Sequence, residues 1–248
     1  MIRSLYSGAS GMTAQQKNID TIANNIANIN TAGYKKNRVQ FKDSLYSAMA
    51  NPENPNETLL VGSGVLVGKT SKVYTEASYK ETDNALDLSI LGEGFFAVED
   101  QNGVINFTRD GSFSASEYDE ELYLVNSDGN FVLDDNMDRI ILEGNVSDIS
   151  INTNGEITGA DAKICVVSFA NADGLISAGS NLYTQSDASG DYFHIEQPEI
   201  KQRMLECSNV SVAEEMTELI RAQRAYQIAS KAVTTADEME SLANNLRV

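Results

Sequence analysis

The chain has 248 residues and 42% hydrophobic content, enough for one large or two modest domains with a real core, which excludes a disordered chain. Its 18 basic against 36 acidic residues give a formal net charge of −18, which argues against nucleic acid and anionic membrane surfaces as partners, because phosphate binding needs clustered Lys and Arg. No stretch approaches the roughly 20 consecutive apolar residues of a membrane span or the roughly 7–15-residue apolar region of a cleavable secretory signal, so membrane insertion is not expected and any export takes another route.

A first helix is predicted from about Arg3 to Asn28. Leu5, Met12, Ile19 and Ile26 fall seven apart, and Ile22 and Ile29 supply the second position of a heptad, so one narrow apolar stripe faces a partner helix. Asn18, Asn24, Asn25, Asn28 and Asn30 are poor helix formers; their amides serve lateral hydrogen bonds or caps, or else mark a frayed end. Gly33 suits the left-handed conformation that stops a helix. Tyr34 to Phe41 reads as an extended exit, and Phe41 to Met49 as a short segment of moderate helical pattern. The two prolines of Asn51-Pro-Glu-Asn-Pro-Asn-Glu57 then favour an exposed linker.

From Gly62 the punctuation changes. Asn102-Gly103, Asp110-Gly111, Asp128-Gly129, Asn154-Gly155 and Asp173-Gly174 separate short β-prone runs, as expected of hairpin turns. The glycines of Leu91-Gly-Glu-Gly-Phe-Phe96 lack phosphate-binding spacing, and Gly92 and Gly94 fit a bend between strands, with Phe95 and Phe96 directed to opposite faces.

A second long helix is predicted from Val212 to Leu246, with Ser211 as N-cap and Glu214 completing a capping box. Leu219, Ala222, Tyr226, Ala229, Val233 and Ala236 form one seam; Ala225, Ala229, Ala232, Ala236, Met239, Ala243 and Leu246 form an overlapping one. Small side chains let helices approach closely, and two seams can serve more than one neighbour. The pattern alone leaves open a private hairpin of the two helices and packing among copies of the chain. The fold class is α+β: long N- and C-terminal α-helices pairing as a coiled coil around a central antiparallel β-rich domain. Its regions are 1–48 (helical assembly), 49–70 (linker or extended), 71–205 (β-rich) and 206–248 (helical assembly).

The inventory for catalysis is poor. His194, the one histidine, alternates with apolar residues as on a strand face, and no Ser or carboxylate motif completes a triad. Asp134-Asp-Asn-Met-Asp138 lacks the Gly and the twelfth-position Glu of a calcium loop and reads as a solvated acidic turn. Cys165 lies in an apolar run as a small buried hydrophobe. No catalytic, cofactor-binding or metal residues are expected, and no cofactor.

Ala23-Asn-Asn-Ile-Ala-Asn-Ile-Asn-Thr-Ala-Gly-Tyr-Lys35, preceded by Leu5-Tyr-Ser-Gly-Ala-Ser-Gly-Met12, resembles the amino-terminal signature of bacterial flagellar rod and hook proteins. Ser208-Asn-Val-Ser-Val-Ala-Glu-Glu-Met216 with Arg221-Ala-Gln-Arg-Ala-Tyr-Gln-Ile-Ala-Ser-Lys-Ala-Val233 is similar to the matching carboxyl terminus, and Leu91 to Val98 and Phe107 to Phe113 resemble the family's β-domain motifs. The resemblance is closest to distal rod members, with proximal rod and hook subunits as alternatives, and a monomeric surface-binding module on a helical stalk as the alternative of another class.

The resemblance implies a structural, non-catalytic subunit of the basal body outside the cytoplasmic membrane, exported unfolded through the flagellar type III apparatus. Its partners are copies of itself in a helical polymer and the neighbouring rod and hook proteins. The terminal helices are expected to form the inner tube, through Leu5, Met12, Ile19, Ile22, Asn24, Asn25, Ile26, Asn28, Ile29 and the two seams. Gly33, Tyr34, Lys35, Gly92, Gly94, Phe95 and Phe96 are its expected turn and motif residues.

Overall fold

The computed structural model describes residues 2–50, 58–144, 149–158, 160 and 162–245. The fold is α+β, with antiparallel strand pairings between two long helices, as the sequence predicts. The chain divides into two compact units, each discontinuous in sequence: residues 1–27, 37–73 and 210–248 form one, and 28–36 with 74–209 the other.

In the first unit, α1 (Ile2–Ala27) packs antiparallel against α2 (Val212–Asn245). Gly8 lies opposite Val233, Gly11 opposite Ala229, and Asn25 opposite Glu215. The approach is closest at Gly8, where a Cβ would stand 2.6 Å from Val233 Cγ2. α2 starts directly after Ser211, whose carbonyl accepts from the Glu215 N–H at 3.0 Å, and places Glu214 and Glu215 in its first turn, where the positive end of the helix favours them.

The rest of this unit is a β-ribbon. Strand β1 (Asn37–Asp43) pairs with β4 (Val65–Lys72), and β2 (Ser47–Ala50) pairs with β3 (Thr58–Val61) in the same register. Within the segment from Phe41 to Met49, predicted with a helical pattern, residues 41–43 and 47–49 are therefore strand, with 44–46 connecting them. A pattern of two turns is too short to hold a helix in isolation, whereas β4 offers a long run of backbone partners. The span 49–70, expected as linker or extended chain, carries β3 and the start of β4; the proline segment 51–57 lies outside the described residues.

In the second unit, Phe95–Glu99 is a central strand flanked by Ile105–Thr108, Phe131–Val132 and Val166–Phe169. Successive side chains on a strand point to opposite faces: Phe96 packs with Leu88, Ile90, Phe113, Leu124 and Val166, while Phe95 packs with Phe107, Val167, Phe169 and Tyr183. Asn102-Gly103 and Asp128-Gly129 turn hairpins as predicted. Asp110-Gly111 does not: Gly111 O accepts from Leu88 N at 3.0 Å in a cross-link between segments. Asp173-Gly174 belongs instead to a short 3₁₀ turn, Ala172–Gly174. The strands Glu199–Gln202 and Met204–Glu206 return to pair with Leu88–Leu91 and Tyr79–Glu81. Residues 28–36 cluster with this unit and not with α1, so the compact units follow cuts other than 48/49, 70/71 and 205/206.

The tight crossing at Gly8 is testable. Gly8→Ala is expected to cost about 1–2 kcal/mol through overpacking, despite alanine's better helix propensity. In a Val233→Ala background, which removes Cγ2, the same change is expected to cost nothing within about 0.5 kcal/mol. Thermal melts followed by helical circular dichroism measure both; simple additivity would show that the two side chains do not meet.

Candidate functional site

The seam residues fall on two faces of the helix pair. On α1, Ile22 is buried, Leu5, Met12, Ile19 and Ile26 are half-buried, and Asn24 is exposed. On α2, Ala222 and Ala236 are buried and Leu219, Tyr226, Ala229 and Val233 half-buried, on the face that Gly8 and Gly11 meet. Met239 and Ala243 are exposed, and Leu246 lies outside the described residues. Asn28 and Ile29 are half-buried in the turn after α1 and cluster with the β unit.

The remaining surface of α2 also carries large apolar residues. Val212, Met216 and Ile220 are about half exposed, Ile228 is 71% exposed and Leu242 63%. Sequence reading missed Ile220, Ile228 and Leu242. Their signal was the spacing of four from Val212 through Met216 to Ile220, overlooked because the small-residue seam dominates the heptad pattern.

A buried amide closes the helix pair. The Asn25 Nδ2 donates to Glu215 Oε2 at 3.0 Å and to the Asn37 carbonyl at 2.9 Å, while Asn25 Oδ1 accepts from the Asn37 N–H at 2.9 Å. One side chain thus ties the end of α1, the start of β1 and the first turn of α2.

The motif residues converge on an ion cluster in the β unit. Gly33, at φ +64°, donates its N–H to the Glu206 carbonyl at 2.8 Å, and a Cβ there would stand 2.6 Å from the Arg109 carbonyl group. This close approach, like the positive φ, requires glycine. Tyr34 is buried, and its carbonyl accepts from Asn209 N at 3.3 Å. Lys35 is fully buried, its Nζ 2.5 Å from Glu206 Oε1 and 2.9 Å from the Thr75 carbonyl. Arg109 Nη1 lies 3.6 Å from Glu206 Oε2, its Nη2 donates to the Gly92 carbonyl at 2.6 Å, and its guanidinium sits 5.8 Å from the Phe95 ring centre. Gly94 and Phe95 line the same place, and Phe96 points to the opposite face. Burial lowers the Lys35 pKa below 10.5, outweighing the Glu206 carboxylate that raises it. Sequence reading missed Arg109 and Glu206, since neither has a local pattern that marks a buried charge.

The predicted acidic turn is a closed one. Asp134 is buried, and its Oδ1 accepts from Asn136 N at 2.9 Å and Asp138 N at 2.8 Å. Burial and the Asp135 and Asp134 carboxylates push the Cys165 thiol up to about 12, which leaves it protonated and poor as a nucleophile.

Residues 5–35 match the family described as Flagella basal body rod protein, 89–159 the Flagellar hook protein FlgE/F/G D1 domain, and 201–246 the Flagellar basal body rod FlgEFG protein C-terminal region. Lys35, Arg109 and Glu206 thus come one from each matched region. The chain belongs to the flagellar basal-body rod protein family. It is similar to the Flagellar basal-body rod protein FlgG of Borreliella burgdorferi, 39% identical over 100% of this chain and 99% of the relative, and to that of Bacillus subtilis, 38% identical over 100% of both. The Flagellar hook-basal body complex protein FlhP of Bacillus subtilis is 29% identical over 100% of both.

The cluster holds two cations against one carboxylate, which sets an unequal outcome for its members. Glu206→Gln is expected to cost about 3–5 kcal/mol, because both cations lose their buried counter-charge. Lys35→Met leaves Glu206 with Arg109 as its counter-charge and is expected to cost less than Glu206→Gln does. Glu99→Gln, which removes the more exposed pair with Arg139 at 2.7 Å, is expected to cost at most about 1 kcal/mol. Urea denaturation of the three variants orders them; equal losses for Glu206→Gln and Lys35→Met would contradict this account.

Proposed function

We propose that the chain is a distal rod subunit that polymerises helically through the outer faces of its paired terminal helices and transmits torque from motor to hook. The observation that carries this reading is the set of large apolar side chains that α2 leaves exposed beside its pairing with α1: Val212, Met216, Ile220, Ile228, Met239 and Leu242. Large apolar side chains left exposed along one helix are candidates for an interaction site. Contacts that repeat without closing build a filament, and α2, 34 residues and about 50 Å long, supplies a rigid strut for it. The fuller identity to FlgG than to FlhP within one organism supports the distal position.

In this reading the subunit acts outside the cytoplasmic membrane, reaches its place unfolded through the flagellar type III apparatus, and abuts neighbouring rod and hook proteins. Among the described residues, no helix is long and apolar enough to cross a membrane. Its work is mechanical, and no catalytic step is assigned to it.

Ile228→Asp and Leu242→Asp are expected to abolish motility and rod completion while shifting the monomer's stability by less than about 0.5 kcal/mol, as surface changes do. Ala236→Glu, at a buried position, is expected to lower the monomer's helix-pair stability as well. Swimming at normal rates in the two Asp variants would overturn the proposed interface, and a tagged chain found outside the distal rod in isolated basal bodies would overturn the position.

A further inference from the structure

Asp135, Cys165 and His194 come from three separated segments, yet one ligand atom of each lies within 4.8 Å of the other two. Their backbones are locked together. Asp134 bridges Ile164, Asp135 N donates to Lys163 O at 3.0 Å, Cys165 N to Leu133 O at 3.0 Å, and Ile195 N to Val166 O at 2.9 Å, while Val167 pairs with His194 between strands. His194 lies in a strand, Cys165 directly precedes one, and Asp135 sits in the turn that Asp134 bridges to Ile164, so backbone pairing holds all three segments.

We propose that Asp135, Cys165 and His194 form a binding site for a divalent cation of the zinc class, with a fourth coordination position open to water. Zinc–sulfur and zinc–nitrogen bonds of about 2.3 and 2.0–2.1 Å, set at a tetrahedral angle, put the two donor atoms about 3.5 Å apart. Cys165 Sγ and His194 Nδ1 are 3.5 Å apart. One thiolate, one imidazole and one carboxylate form a borderline donor set that suits zinc better than calcium or magnesium, which take oxygen ligands.

The surroundings support the three ligands. Cys165 is buried at the floor, while Asp135 and His194 are exposed, so a cation enters from the solvent side. Lys163 Nζ holds Asp135 Oδ2 at 3.0 Å and also donates to the Glu196 carbonyl at 2.9 Å, which orients the carboxylate beside the other two ligands. The Tyr192 ring packs edge-on to the imidazole at 5.8 Å. Neighbouring Asp134 is committed to its own turn. On binding, the Cys165 thiol gives its proton to solvent and the thiolate takes the cation. The bound ion then straps the turn 134–138 to the strands Val166–Phe169 and Tyr192–His194.

The test is titration of the purified full chain with cobalt(II) and zinc(II) chloride. One equivalent of cobalt is expected to give the visible bands of a four-coordinate site with thiolate charge transfer, and zinc to displace it and raise the thermal midpoint. His194→Ala and Asp135→Asn, both at exposed positions, are expected to weaken cobalt binding by about ten-fold or more. Cys165→Ser is expected to remove the charge-transfer band and Cys207→Ser to leave it unchanged. A six-coordinate aqua spectrum with no thermal shift would reduce the contact to a thiol–imidazole hydrogen bond and overturn the proposal. Loss of the band in Cys207→Ser would overturn it equally.

Discussion

The carboxylate of Glu206 fixes how the β unit gathers its chain segments. It sits fully buried between Lys35 and Arg109, its backbone carbonyl accepts from Gly33, and its strand pairs with Tyr79–Glu81. The ion pair is a poor source of net stability, since burial lowers the Lys35 pKa in spite of its partner. Its contribution is register. A slip of one residue in the pairing of Met204–Glu206 would turn the Glu206 side chain to the other face of the strand. Two cations would then be buried without a counter-charge. The correct pairing is thus separated from its neighbours by the cost of an unpaired charge, which a purely apolar contact would not supply.

The helix pair is closed by a different device. Asn25 offers an amide that donates twice and accepts once, and Glu215 supplies an acceptor where the helix terminus favours a negative charge. Along the rest of the seam, Gly8 and Gly11 bring the backbones close to Val233 and Ala229, while Ala222 and Ala236 are buried. Large apolar residues stand on both sides of α2: Leu219, Tyr226 and Val233 toward α1, and Ile220, Ile228 and Leu242 away from it.

The parts of this arrangement that repeat locally were legible in the sequence. The heptad from Leu5 to Ile26 and the turn at Asn102-Gly103 each rest on residues a few positions apart, whereas α1 ends at Ala27, and Gly33, expected to stop it, takes its positive φ against Glu206 and Arg109. The ribbon from Asn37 to Lys72 was not, because β1 is defined by β4 and its own pattern is ambiguous. The ion cluster was less so: Lys35, Arg109 and Glu206 read as ordinary charges until the fold removes water from all three. Cys165 and His194 were each assigned a bland role for the same reason, since the register between their strands places them together and no spacing along the chain reveals it.

Charge bears on the proposed polymer as well. A formal net charge of −18 on every copy opposes association, and exposed acids such as Glu214, Glu218, Asp237 and Glu238 share α2 with the apolar face. At physiological ionic strength, repulsion between exposed charges falls off within about 8 Å, so it acts mainly between subunits already close to contact. Apolar burial over a long helix face opposes that short-range term only when the whole face is engaged. Partial or misregistered encounters gain little burial and retain most of the repulsion. The acidity therefore discriminates among modes of contact, disfavouring disordered association more than full-length docking of one helix pair on the next.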